Sequence, residues 1–118
     1  MRFTLVMSYS EAGGAALSAE EMEAGRQAFD AYGRALHEAG ALVAAEVFTP
    51  VASSTTIRGG EVVDSQDASA EQLSGMFLVD VADEAAAVQW AKRCPAAEFG
   101  TMVVRQSAVS FVDGGWSA

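Results

Sequence analysis

The sequence predicts an α+β fold in which strands and helices alternate within one domain. The chain has 118 residues, of which 51 % are apolar, enough for one hydrophobic core. Short β-rich runs alternate with two segments of helical periodicity. Clusters of Gly, Pro and small polar residues separate these segments at short intervals. We therefore expect two β-α-β units that contribute to a single sheet.

The first unit begins with an apolar strand at residues 2–9 and continues into a Gly/Ala-rich segment at residues 10–17, which we expect to be a loop. Its second strand is predicted at residues 41–48, where the apolar run ALVAAEVF is followed by Thr49 and Pro50.

A helix between these strands is predicted to begin at Ser18 and to continue to about Ala39. Ser18 and Glu21 match the capping box S-x-x-E, in which serine and glutamate satisfy each other's backbone N–H groups. Gly40 follows, in the position of a left-handed C-terminal cap. Five residues at helical spacing are expected to form the buried face: Met22, Phe29, Tyr32, Leu36 and Ala39.

The second unit contains a buried strand at residues 75–81, a helix at residues 84–93 and a strand at residues 101–105. Asp83 is predicted to cap the helix, and Pro95 is predicted to end it. Three aromatic residues are expected in the core: Tyr9, Phe77 and Trp90.

A β-hairpin is predicted between the two units. The β-forming runs 54–58 and 61–63 flank Gly59 and Gly60, and a Gly-Gly link of two residues favours a tight hairpin turn. The polar segment 64–70 is expected to be a turn with a short helical element.

This order of elements predicts a ferredoxin-like α+β fold, βαββαβ with an extra hairpin, in which both helices cover one face of the sheet. The other face would expose a large apolar surface. We expect two copies to cover these faces in a homodimer that forms a dimeric α/β barrel. Residues 1–107 then form the domain, and residues 108–118 form a tail that could be a dimer arm.

The composition argues against several classes of partner and site. A net charge of −9 is unfavourable for nucleic acid and for anionic membrane surfaces. Cys94 is the only cysteine, so neither an internal disulfide nor a cysteine-based zinc site is possible. We expect a cytoplasmic protein without a signal peptide, a membrane span, a metal or a cofactor.

Six stretches of the chain are similar to one known family: Ala39–Glu46, Thr55–Arg58, Asp64, Glu71–Val81, Val88–Ala97 and Gly100–Arg105. The chain resembles the YCII-related proteins, in particular the subgroup named for a DGPF motif, over about residues 1–107. The resemblance implies a dimeric α/β barrel built from ferredoxin-like protomers.

The chain departs from the family pattern at two positions. The DGPF motif is replaced by the segment Asp64–Asp67 (DSQD), in which only the aspartate matches. Some members carry a histidine on the first helix that is thought to pair with an acidic group in the cleft, and Phe29 occupies the corresponding position here. The acid–base pair that the resemblance implies is therefore not intact.

Three residues are candidates for acid–base catalysis. His37, the only histidine, lies in the last turn of the first helix, where it is either a cation favoured by the helix dipole or a general base. Glu46, within the run VAAEVF, points either into a cleft with a raised pKa or outward to water. Asp64 is either a turn residue or the counterpart of the family aspartate.

Two residues are candidates for ligand binding. Arg58 either binds an anionic ligand or pairs with Glu61 across the hairpin. Asp80 either faces the cleft or lies at its rim near Asp83. Cys94 is not expected to act as a nucleophile, because it lies at the C-terminal end of a helix, which does not favour the thiolate.

The sequence leaves three functions open. The first is a protein that binds a small molecule in a cleft between helices and sheet. The second is a cofactor-independent isomerase, lyase or cyclase that uses Glu46, Asp64 and His37 as acid–base groups, with Arg58 holding an anionic substrate. The third is an accessory protein that binds another protein.

Overall fold

The computed structural model describes residues 1–64 and 70–118. Within these ranges the elements follow in the order β1 (Arg2–Tyr9), α1 (Glu11–Ala15), α2 (Ala19–Glu38), β2 (Leu42–Val47), a 3-10 turn (Val51–Ser53), β3 (Thr56–Arg58), β4 (Glu61–Val63), β5 (Gln72–Asp80), α3 (Glu84–Arg93), α4 (Ala96–Phe99), β6 (Thr101–Gln106), β7 (Ser110–Val112) and β8 (Gly115–Ser117). Of the turn predicted at residues 64–70, residues 65–69 lie outside the described residues.

Four strands form one antiparallel sheet in the order β2-β5-β1-β6. Strand β1 pairs with β5 and with β6, and β2 pairs with the other edge of β5. The two β-α-β units therefore interleave, so that each inserts a strand between the two strands of the other. The predicted ferredoxin-like α+β arrangement is confirmed.

The core lies between the sheet and the helices. Along β1 every second side chain is buried, and Phe3, Leu5 and Met7 are each at most 1 % exposed, as expected for a strand with one covered face. Tyr32 and Leu36 from α2 are buried in the same core. Other buried members come from β5, α3 and α4: Phe77, Val79, Ala87, Ala91, Cys94 and Ala96.

The opposite face of the sheet carries the alternate side chains. Val6 of β1 is paired in register with Met76 of β5 and with Val103 of β6, so these three residues form an apolar row across the sheet. Thr4 and Leu78 are paired in the next row. We call this surface the open face, because the described helices pack against the other side of the sheet.

The capping box predicted for α2 is present. The Ser18 hydroxyl accepts from the Glu21 N–H at 3.1 Å, and the Glu21 carboxylate accepts from the Ser18 N–H at 3.0 Å. The helix ends at Glu38, and Gly40 follows with a φ of 70°. Ala39 was expected on the buried face, but it is the C-terminal cap residue that follows the helix, and it is exposed.

The segment predicted as a loop at residues 10–17 contains helix α1. Ser10 caps this helix, because its hydroxyl accepts from the Gly13 N–H at 3.0 Å. Glu11 also holds α1 in place: its carboxylate accepts from the Val51 N–H at 2.8 Å, and its N–H donates to the side chain of Gln72 at 3.1 Å.

Two hairpins are separate from the main sheet. The predicted one joins β3 and β4 through Gly59 and Gly60, whose φ angles of 59° and 81° fit a type I′ turn. The second joins β7 and β8 within the predicted tail, and its Phe111 and Trp116 rings lie 5.1 Å apart. Trp116 is 70 % exposed, so this hairpin contributes little to the core.

Candidate functional site

A cavity of about 880 Å3 lies between helices α1 and α2 and the helix-covered face of the sheet. This volume falls within the roughly 300–1,000 Å3 that small-molecule sites occupy. The lining of the cavity is mostly apolar. It comes from β1, α1, α2, β2 and α4, and from the segment between α1 and α2. The lining residues include Met7, Tyr9, Gly13, Gly14, Leu17, Met22, Gly25, Phe29, Val47 and Phe99.

The two halves of α2 are packed differently, and the cavity lies beside the first half. In the second half, Tyr32 and Leu36 are 5 % and 0 % exposed. In the first half, Met22 and Phe29 belong to the same face of the helix but line the cavity. Met22 is 46 % exposed, so this part of the predicted buried face is open to a ligand.

Three aromatic side chains form one wall of the cavity. The Phe99 ring lies 5.5 Å from the Tyr9 ring and 6.4 Å from the Phe29 ring, with the second pair edge to face. Gly100 permits this arrangement, because a Cβ atom there would collide with the backbone oxygen of Ser8. The glycine lets α4 end directly against β1, which brings Phe99 against Tyr9.

The charged groups that border the cavity already have partners. Hydrogen bonds from the N–H and hydroxyl of Ser18 lower the pKa of Glu21. The Arg26 guanidinium donates to the Glu23 carboxylate at 2.6 Å. The Arg26 charge is therefore already neutralised, whereas the Glu21 carboxylate stays ionised, so an anionic ligand is disfavoured and a neutral molecule suits the mostly apolar lining.

The three candidate acid–base residues lie in three different parts of the chain, and none of them is among the described residues that line the cavity. Glu46 is paired in register with Met76, and Met76 with Val6, so Glu46 belongs to the open face. His37 is exposed in the last turn of α2, and Asp64 is exposed after β4. The rest of the DSQD segment lies outside the described residues.

The two candidate ligand-binding residues lie at other places on the surface. Arg58 is directly opposite Glu61 in the β3–β4 hairpin. The Asp80 carboxylate accepts from the Met1 amino group at 3.0 Å and lies 4.0 Å from Arg2 Nε. Asp80 is therefore at the C-terminal end of β5, a central strand of the sheet, beside the start of β1.

Cys94 is buried and carries a free thiol. Burial raises its pKa, and a hydrogen bond with the Ala96 backbone lowers it by less. A thiol with a raised pKa is mostly protonated near neutral pH. This agrees with the expectation that Cys94 is not a nucleophile.

The sequence predicts a cleft between helices and sheet but does not identify the residues that line it. Met22 and Phe29 were assigned to the buried face, and Tyr9 to the core. One signal was available: Gly25 interrupts the apolar face of α2 between Met22 and Phe29. A gap of this kind on an inward face indicates space beside the helix.

Neither a membrane-spanning helix nor a metal cluster is found in the described part of the chain. None of its helices combines the length and the apolar character needed to cross a bilayer. Residues 1–64 and 70–118 also contain no group of three or more His, Cys, Asp or Glu side chains that could hold a metal ion.

Most of the chain matches a known protein family. The family model of the YCII-related domain matches residues 1–107, which include all four strands of the main sheet and the whole lining of the cavity. The hairpin of β7 and β8 lies beyond the matched residues. No curated protein matches the chain. Because the family model covers most of its length, the chain belongs to the family of YCII-related domain proteins.

Proposed function

We propose that this protein binds a small, neutral and largely apolar molecule in the cavity between α1, α2 and the sheet. The observation that carries the proposal is the cavity itself: about 880 Å3 bordered by apolar side chains from the four elements β1, α2, β2 and α4. Apolar cavities of this size with a few polar groups at the border are typical of ligand sites. The ion pair of Arg26 with Glu23 supports a ligand without a negative charge.

Binding without catalysis is favoured over the acid–base alternative. Phe29 lines the cavity, at the position where the family resemblance would place a histidine. Glu46 lies on β2, His37 lies on α2 and Asp64 follows β4, and these three residues do not line the cavity. Their acid–base roles, and the binding roles of Arg58 and Asp80, stay predictions.

We further propose a homodimer in which the open faces of two copies cover each other. The apolar row of Val6, Met76 and Val103 supports this, because apolar side chains on one sheet face are stabilised by packing against a second sheet. The β7–β8 hairpin is a candidate arm, since it carries the exposed rings of Phe111 and Trp116. We also propose a cytoplasmic location, which agrees with the free thiol of Cys94. Membership of the DGPF subgroup is supported by Asp64, which matches the aspartate of the motif in sequence.

Ligand binding is tested with the neutral aromatic dye N-phenyl-1-naphthylamine, whose fluorescence rises in apolar surroundings. The wild-type protein is expected to bind one dye per chain. Met22→Lys replaces an apolar side chain of the lining by one that ends in an ammonium group, and is expected to weaken binding by about tenfold or more, because the apolar dye loses this contact and lies beside a charged group. The melting temperature is expected to change little, since Met22 is 46 % exposed.

Ala31→Lys is the matched control. Ala31 is an exposed residue of the same helix, so the variant adds the same charge, but Ala31 neither lines the cavity nor belongs to the open face. It is expected to leave the dye affinity unchanged. Equal affinity in wild type and Met22→Lys would exclude this cavity as the binding site.

A further inference from the structure

Gly25 occupies an inward-facing position of α2. The residues of this face follow at intervals of three and four, from Met22 through Gly25, Phe29 and Tyr32 to Leu36. A helix that packs on a sheet normally carries apolar side chains at such positions. At Gly25 the helix instead presents its bare backbone, one turn away from Phe29.

Packing within the protein does not require a glycine at this position. Glycine in the interior of a helix is less favourable than alanine, because it loses more backbone freedom on folding. That cost is offset where a neighbouring group fills the space of the missing side chain. A Cβ atom added at Gly25 would meet no atom within 4 Å apart from the backbone of α2 itself. The space beside Gly25 is part of the cavity.

A second glycine borders the same cavity from α1. A Cβ atom added at Gly14 would also meet nothing within 4 Å, and Gly14 is among the lining residues. The cavity is therefore bordered by bare backbone on both helices and by the rings of Tyr9, Phe29 and Phe99 on one wall. A flat aromatic ring suits these surroundings, because it can lie against backbone and meet other rings edge to face.

We propose that Gly25 is a specificity-determining residue of the cavity, and that its missing side chain admits a flat aromatic ring against the backbone of α2. The ligand class is thus an uncharged molecule that carries a flat aromatic ring. The inference rests on the proposed binding function and adds to it the residue and the ring type that decide which ligand enters.

Two related probes test the ring type. The compounds 2-naphthol and decahydro-2-naphthol share one carbon skeleton and one hydroxyl group, but only the first is flat. Calorimetric titration of the wild-type protein is expected to show about tenfold tighter binding of 2-naphthol. Equal or tighter binding of the puckered alcohol would overturn the selection for a flat ring.

Three variants test the residue. Gly25→Leu is expected to weaken 2-naphthol binding by about tenfold or more, because the new side chain occupies the space of the ring. Gly25→Ala is expected to weaken it by about threefold. Gly33→Ala is the matched control: Gly33 also lies within α2 with open space at its Cβ position, but is not a lining residue.

Stability separates occlusion of the cavity from damage to the fold. Both alanine variants are expected to raise the melting temperature, by about 4 °C each, because alanine favours the helix. The expected pattern is therefore higher stability in both, with weaker binding only in Gly25→Ala. If Gly25→Leu does not fold, the two alanine variants still decide the question.

The possible failures are distinguishable. If wild type binds neither 2-naphthol nor N-phenyl-1-naphthylamine, the proposed binding function is wrong, and the role of Gly25 with it. If wild type binds both and Met22→Lys weakens dye binding, while both Gly25 variants bind 2-naphthol as tightly as wild type, only the role of Gly25 is overturned.

Discussion

Tyr32 links the helix layer to the sheet. Its side chain is 5 % exposed, its hydroxyl donates to the Trp90 carbonyl oxygen at 2.8 Å, and its ring meets Phe77 edge to face at 5.0 Å. Burial is the main cause that raises its pKa above the usual range for tyrosine. The hydrogen bond and the ring contact anchor the second half of α2, so that the cavity opens only beside the first half.

Tyr32→Phe is expected to reduce the free energy of unfolding at pH 7 by about 1 kcal/mol, because the Trp90 carbonyl loses its donor. The raised pKa of Tyr32 also predicts a pH dependence. The unfolded chain releases the tyrosine proton first, so this contribution to stability is complete below about pH 10 and is lost as the pH rises further. The difference between wild type and Tyr32→Phe should therefore shrink above pH 10.

Urea unfolding at pH 7, 9 and 10.5 measures both effects. Tyr9→Phe is the control. It retains Tyr32, so the stability that Tyr32 contributes should still be lost above pH 10. A difference between wild type and Tyr32→Phe that stays constant across this range would contradict the assignment.

The cap of helix α2 and the turn between β3 and β4, which the sequence predicts correctly, depend on residues that lie close together in the sequence. The capping box of Ser18 and Glu21 and the turn of Gly59 and Gly60 each involve residues at most three positions apart. Their geometry follows from local hydrogen bonding and from permitted backbone angles. Such features can be inferred from the sequence before the fold is known.

Helix α1 shows why the remaining elements could not be predicted. It has five residues, two of them glycine, and a segment of this composition has little helical tendency of its own. Glu11 joins it to Val51 and Gln72, which are 40 and 61 positions away. Tertiary contacts therefore stabilise a helix that local propensity does not favour.

The cap of α2 can be tested by substitution of Ser18. Ser18→Ala removes the hydroxyl that accepts from the Glu21 N–H and is expected to cost about 1 kcal/mol of stability. Ser18→Asp, which can accept the same hydrogen bond, should retain most of it. Chemical unfolding of the three proteins gives the comparison, and equal losses in both variants would contradict a capping role.

The whole molecule is more extended than a compact domain of its length. Its radius of gyration is 15.8 Å, against about 13.5 Å expected for 118 residues. The two hairpins account for part of this, since neither pairs with the main sheet and both expose large apolar side chains: Ile57, Val62, Phe111 and Trp116. Together with the open face, they give a surface that suits a second copy of the chain.

The proposed homodimer predicts a mass of twice 12.3 kDa by sedimentation equilibrium at micromolar concentration. Val103→Lys is expected to shift the protein to monomer, because it puts a charge into the apolar row of the open face. Met22→Lys should remain dimeric, since Met22 lies on the other side of the sheet. A monomeric wild-type protein would refute the face-to-face pairing.

The type and order of the main elements, the cap of α2 and the turn of the first hairpin could be predicted without the fold, because they depend on periodicity and on nearest neighbours. A cleft between helices and sheet could also be predicted. The residues that line the cleft could not, because Tyr9, Phe29 and Phe99 come together only when β1, α2 and α4 pack. Sheet register likewise decided that Glu46 belongs to the open face, since strand pairing joins residues that are distant in sequence.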